Sequence, residues 1–132
     1  TKLLQDFVYS GSEVLCVSRM HPDMVSEMWQ GKKVETIWLS ERIGQNNISP
    51  EHLSRLRQRL VTYLKSKNNP VIMLDGLEYL SLFNDISKLQ MFVEQVNDAV
   101  MESRAILLIP IDPRLFDQRS LAKLQRFAEV VS

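Results

Sequence analysis

The chain is poor in the residues on which specialised chemistry depends. Cys16 is the only cysteine among 132 residues, so neither an intrachain disulfide nor a cysteine-based zinc site can form, and a reducing, cytoplasmic setting is expected. The two histidines, His21 and His52, fall at helix starts, and nothing in the pattern sets either beside Cys16 for nucleophilic catalysis. No His/Asp/Glu cluster has metal-ligand spacing. The four glycines, Gly11, Gly31, Gly44 and Gly76, stand alone. None belongs to a Gly-x-x-x-x-Gly-Lys-Ser/Thr phosphate loop or a Gly-x-Gly-x-x-Gly turn, so nucleotide hydrolysis lacks its cradle. An excess of one charge is also missing: 16 basic residues balance 16 acidic ones, which provides no net field for nucleic acid or an acidic membrane. Trp29 and Trp38 lack an accompanying basic groove and are expected to pack rather than stack on bases. Apolar runs reach five or six residues, far short of the ~20 that span a bilayer, and no signal peptide opens the chain. Thr1 in place of Met points to a piece excised from a longer, multidomain protein.

What is present is a regular alternation of strands and amphipathic helices. Pro70 to Leu80 anchors it: Val71 to Leu74 is too short for a helix and lacks polar alternation, the pattern of a strand covered on both faces. Asp75 then sets a carboxylate at the strand end, and Gly76 allows a turn into Leu77 to Phe83. Upstream, Leu3, Leu4, Phe7 and Val8 have the spacing of a first helix over Lys2 to Tyr9, and Glu13 to Ser18 reads as the first strand. His21-Pro22-Asp23 starts a helix whose face is Met24, Val25, Met28 and Trp29 and which Gly31 closes. Lys33 to Ser40 reads as a strand nearer the sheet edge, and Glu41 to Asn47 as a loop. Ser49 and Pro50 have the form of a cap and first helical residue, with Ile48 stapling against Leu53. Leu53, Leu56, Leu60, Val61 and Leu64 make that helix's buried stripe. Arg55, Arg57, Arg59, Lys65 and Lys67 lie away from it as a solvated face.

Asn68-Asn69-Pro70 ends the helix. Beyond the central strand, Asp85 is placed to cap a helix running to about Glu102 with Leu89, Phe92, Val93, Val96 and Val100 inward. Arg104 to Ile109 reads as a second fully apolar strand stopped by Pro110. Arg114 to Arg126 is helical with an interruption near Asp117, and Ala128 to Val131 has the character of a last short strand. The alternation predicts one α/β domain over residues 1–132, with an open, mainly parallel sheet of four to five strands and helices on both faces.

In such a sheet, ligands bind beyond the carboxyl ends of the strands, where loops and helix N-termini supply polar groups. That edge should gather Arg19 after the first strand, Ser40, Glu41 and Arg42 after the second, Asp75 and Glu78 after the third, and Asp112 and Arg114 after the fourth. The binding edge is therefore Arg19, Ser40, Asp75, Glu78, Asp112 and Arg114. These charges could clasp a ligand or neutralise one another. An apolar strand ending in Asp is also how a Walker B segment presents a carboxylate to magnesium. Without a phosphate loop, Asp75 is expected instead to accept backbone N–H groups or to pair with an arginine such as Arg19. Cys16 is expected to be a small packed core residue.

Ser18-Arg19 with Pro22, Trp38-Leu39-Ser40, Ile48 with Pro50, Leu74-Asp75-Gly76-Leu77-Glu78-Tyr79-Leu80 with Asn84, and Ile109-Pro110-Ile111-Asp112-Pro113 carry a family resemblance. From about Leu3 to Arg126 the sequence resembles domain of unknown function family eight hundred thirty-five, found mainly in archaea at the ends of multidomain signalling proteins with sensory modules. Leu124-Gln125-Arg126 departs from the Leu-Glu-Arg expected there. The arrangement is also similar to the part of a RecA or KaiC type core that follows the phosphate loop. The resemblance implies a noncatalytic regulatory or output domain of a cytoplasmic signalling protein. Such a domain would act through contacts with a partner or with sensory modules of the same polypeptide, and could self-associate through a helix face. It would need no cofactor and would bind no nucleic acid. The alternative is a small-ligand or nucleotide-binding domain using the same edge, with Arg19 on a phosphate and Asp75 or Asp112 on a hydroxyl or metal-bound water.

Overall fold

A computed structural model describes residues 13–29 and 34–125. Five strands, β1 (Glu13–Ser18), β2 (Val34–Leu39), β3 (Asn47–Ile48), β4 (Pro70–Leu74) and β5 (Ile106–Leu108), form one sheet in the order β3-β2-β1-β4-β5. Every pairing is parallel, with Cys16 opposite both Thr36 and Met73. The helices are α1 (Pro22–Trp29), α2 (Leu53–Ser66), α3 (Leu77–Ser81), α4 (Ile86–Glu102) and α5 (Gln118–Gln125), with a 3-10 turn at Pro113–Leu115. This is the open α/β architecture that the alternation predicts. The helix expected over 2–9, the closure at Gly31 and the strand expected at 128–131 lie outside the described residues.

Strand periodicity divides the core between the two faces. Leu15, Val17, Ile37, Leu39, Ile72 and Leu74 meet Leu56, Leu60 and Leu64 of α2 and Leu89, Phe92 and Val96 of α4. On the other face Val14, Cys16, Val71 and Met73 pack with Val25 of α1. All five residues of β4 are buried, as its unbroken apolar run requires. At about 1.5–3 kcal/mol per fully buried large apolar side chain, the α2/α4 layer holds most of the fold's hydrophobic stabilisation. All five inward residues predicted for α4 are buried, and Asp85 caps it by accepting the Lys88 N–H at 2.9 Å. Asp117 likewise accepts the Ser120 N–H at 2.7 Å, at the predicted interruption.

Four local expectations require correction. The loop over 41–47 ends in a strand, because Ile48 pairs beside Leu39 and its carbonyl accepts the Ser40 N–H at 3.0 Å. That pairing holds Ile48 extended, so Ser49 and Pro50 belong to a turn and α2 starts at Leu53. His52 stands before it without a side-chain cap. Met24 is exposed although Val25 beside it is buried. The last strand is only three residues long, and Ile106 is 39% exposed because β5 is the sheet edge rather than a strand covered on both faces.

Candidate functional site at the sheet switch point

The connections from β1 and β4 leave in opposite directions across the sheet, since β2 lies on one side of β1 and β5 on the far side of β4. Such a reversal opens a crevice between the carboxyl ends of the two strands. Here the crevice has a volume of about 490 Å³ and is lined by Ser18, Arg19, Met20, Asp75, Gly76, Glu78, Tyr79 and Leu115.

Each lining residue is placed by local chemistry. The Asp75 N–H donates to the Val17 carbonyl at 2.8 Å, which carries the β1–β4 pairing one step past β4 and sets Asp75 at the rim. Gly76 follows at φ 140° and ψ 20°, a conformation that side-chain-bearing L residues rarely adopt, and turns the chain into α3. Buried Leu77 and Leu80 fasten α3 to the core, so Glu78 and Tyr79 face the crevice side. Across the gap, the Ser18 hydroxyl accepts the Met20 N–H at 2.9 Å, and the indole N–H of Trp38 donates to the Arg19 carbonyl at 2.9 Å. These two bonds fix the backbone from which Arg19 projects.

Arg19 does not pair with Asp75: no Arg19 nitrogen comes within 4 Å of a carboxylate oxygen of the described residues. Its guanidinium instead lies 4.1 Å from the centroid of the Tyr79 ring, a cation–π contact, and Tyr79 is braced edge-on by Phe83 at 5.1 Å between ring centroids. The Asp75 side chain accepts no hydrogen bond from a described residue either, so among these residues neither the pairing with Arg19 nor the backbone N–H bonds expected for it are found. Half-burial pushes its carboxyl above the ordinary range, and the like charge of Glu78 adds to that rise.

The remaining predicted residues neutralise one another or stand apart. Glu78 Oε1 accepts the Asp112 N–H at 2.7 Å, tying α3 to the loop after β5. Asp112 takes both the Nε and Nη2 donors of Arg114, at 2.9 and 2.8 Å, and the hydrogen bonds from Arg114 hold its carboxyl below the usual range. Ser40 accepts the Arg42 N–H and does not line the crevice. Thus Arg19, Asp75 and Glu78 converge, Asp112 and Arg114 buttress, and Ser40 serves its own loop. Ser18, Met20, Gly76, Tyr79 and Leu115 are the crevice residues that the predicted binding edge did not include. Tyr79 had a signal, since it stands in the Leu74–Leu80 segment that carries the family resemblance.

A second hollow of about 500 Å³ lies between α2 and α4, with Arg55, Arg57, Lys88 and Met91 among its lining. It is a groove between helices. Among the described residues no group of three or more His, Cys, Asp or Glu could hold a metal ion, and no helix is long and apolar enough to cross a membrane.

The chain belongs to the family described as protein of unknown function (DUF835), whose family model matches residues 1–127. No curated protein matches it.

Proposed function

We propose that this DUF835 domain is a noncatalytic regulatory module of a cytoplasmic signalling protein, and that it works by binding a small charged ligand in the crevice between β1 and β4. The observation that carries this reading is the separation of Arg19 from Asp75 and Glu78. Three charged side chains line one concave site at the switch point, yet the cation rests on an aromatic ring and its N–H groups meet no carboxylate of the described residues. Had the edge served only to cap helices, Arg19 would be expected to neutralise Asp75 as Arg114 neutralises Asp112. Ligand binding would stiffen the two loops and α3, and through Glu78 the loop after β5, which is a route by which occupancy could reach a neighbouring module.

The test is thermal unfolding of the purified domain against a panel of small anions, zwitterions, nucleotides with magnesium, and amines. A ligand at one hundred times its dissociation constant adds about 2.7 kcal/mol to stability. A saturable rise that Arg19→Ala abolishes supports the reading. A flat response across the panel, together with a solution mass that grows with protein concentration or the capture of a signalling protein, rejects it in favour of action through protein contacts. That second reading draws on the apolar side chains left exposed: Leu115 at 65%, Leu82 at 75% and Phe83, which touches Tyr79.

A further inference from the structure

The charges of the crevice narrow the ligand. We infer that its occupant is a small zwitterion of the α-amino-acid type, with a carboxylate on the Arg19 guanidinium, an ammonium group against Asp75 and Glu78, and an apolar remainder along Met20 and Leu115. This rests on the ligand-binding reading above and specifies its chemistry.

The argument is one of charge and placement. Asp112 and Arg114 close on each other, which removes both from the count. One guanidinium and two carboxylates remain around the crevice, and they do not meet. Arg19 is held from behind by Tyr79, so its planar fork is oriented before a ligand arrives and suits bidentate pairing with a carboxylate. Glu78 spends one oxygen on the Asp112 N–H and keeps the other, while Asp75 accepts from no described residue. The two acids share one side of the site, where burial and mutual repulsion both disfavour the charge on Asp75. An ammonium group placed there would counter the repulsion and offset the cost of the buried charge.

Other ligand classes fit less well. A polyphosphate would set several negative charges beside two carboxylates with a single guanidinium to receive them. A bare amine would satisfy the acids and leave Arg19 unanswered. A divalent cation lacks a third ligand, since no group of three candidate side chains exists among the described residues. Only a ligand carrying both signs answers both sides, and the exposed Met20 and Leu115 give its neutral portion an apolar wall.

The experiment titrates the domain with the free amino acids, with the N-acetyl and carboxamide derivatives of any that respond, and with ATP, inorganic phosphate and magnesium, following thermal unfolding and calorimetric binding. At least one free amino acid should raise the melting temperature saturably. Removing its ammonium charge by acetylation or its carboxylate charge by amidation should each abolish the rise. Arg19→Ala should weaken binding by at least about tenfold, the loss expected for a charge-assisted hydrogen bond. Asp75→Asn should weaken it while leaving the unliganded protein folded, and Arg55→Ala, in the groove between α2 and α4, should bind as the parent does. If ATP or phosphate gives an Arg19-dependent rise and no amino acid does, the zwitterion is refuted while small-ligand binding stands. If a derivative with one charge removed binds as tightly as its parent, the zwitterion is again refuted. If nothing in the panel binds, both readings fall.

Discussion

Replacing Gly76 with alanine tests how the site is held in place, because two separate penalties act at that position. The backbone there has φ 140° and ψ 20°, and forcing an L residue into so sparsely populated a region costs on the order of 1–3 kcal/mol. The added Cβ would also lie 2.9 Å from Leu39 Cδ1, well inside the roughly 3.5–4.0 Å of carbon–carbon contact. Leu39 is 2% exposed within the core, so it can give way only by leaving its rotamer, at about 0.5–1.5 kcal/mol. Together these predict a loss of roughly 1.5–4.5 kcal/mol from a total stability of the order of 5–15 kcal/mol. Urea unfolding should show the midpoint falling with the slope unchanged, the signature of altered stability without altered compactness. Leu39→Ala separates the terms: in that background the clash disappears and the backbone penalty stays. A loss below about 0.5 kcal/mol for Gly76→Ala would refute both terms. A loss that vanishes once Leu39 is alanine would refute the backbone term alone.

Three further perturbations probe charge and packing. Asp75 has a raised carboxyl, so the native state holds that proton more tightly than the unfolded chain and loses stability as pH climbs through the native value. Asp75→Asn should therefore be more stable than the parent at pH 7, by about 1 kcal/mol or less given that the group is half-exposed, and the gain should vanish below pH 3.8 when stability is followed by urea titration. Burial lifts the Cys16 thiol from 9.0 to about 11. Stability should fall between those values, since the unfolded chain loses the proton first, with a slope of up to about 1.4 kcal/mol per pH unit that Cys16→Ala flattens. A parent curve as flat as the variant's would overturn the assignment. Asn84 donates to the Pro50 and Leu80 carbonyls at 2.9 and 3.0 Å and joins the end of α3 to the turn before α2. Asn84→Ala should cost about 1–3 kcal/mol in denaturant unfolding, and a change within 0.5 kcal/mol, roughly the spread of neutral surface substitutions, would show that water replaces both bonds.

Legibility followed the reach of the interactions. The inward face of α4 and its Asp85 cap depend on residues three and four apart, so they could be read directly. β4 was legible because a run buried on both faces is uniformly apolar. The start of α2 was misread where a strong local signal met a distant one: Ser49 and Pro50 have the chemistry of a helix start, but pairing with β2 holds Ile48 extended and delays the helix. The apolar run over 104–109 marks a strand there, but no periodicity encodes sheet order, and only the order makes β5 a short edge strand. The same limit governs the site. The edge rule found Arg19, Asp75 and Glu78, yet whether Arg19 would meet an acid or an aromatic ring depends on which strands are neighbours and on which way α3 turns after Gly76.

That choice of partner separates the two halves of the edge. At Asp112 and Arg114 the charges close on each other, the carboxyl is held in its ionised form, and the arrangement is self-sufficient. Between β1 and β4 a carboxylate is kept half-buried beside a second one with no cation of the described residues in contact, while the arginine on the same crevice is stacked on Tyr79. Pairing Arg19 with Asp75 would ease the repulsion between the acids and would also fill the site. Natural sequences retain such unrelieved local conflicts chiefly where function exploits them, because a group left unsatisfied within the fold has interaction energy to offer a ligand. The predicted stabilisation by Asp75→Asn and the predicted loss of binding in the same variant are therefore one claim. A variant that gained stability and kept its ligand would break the link between them.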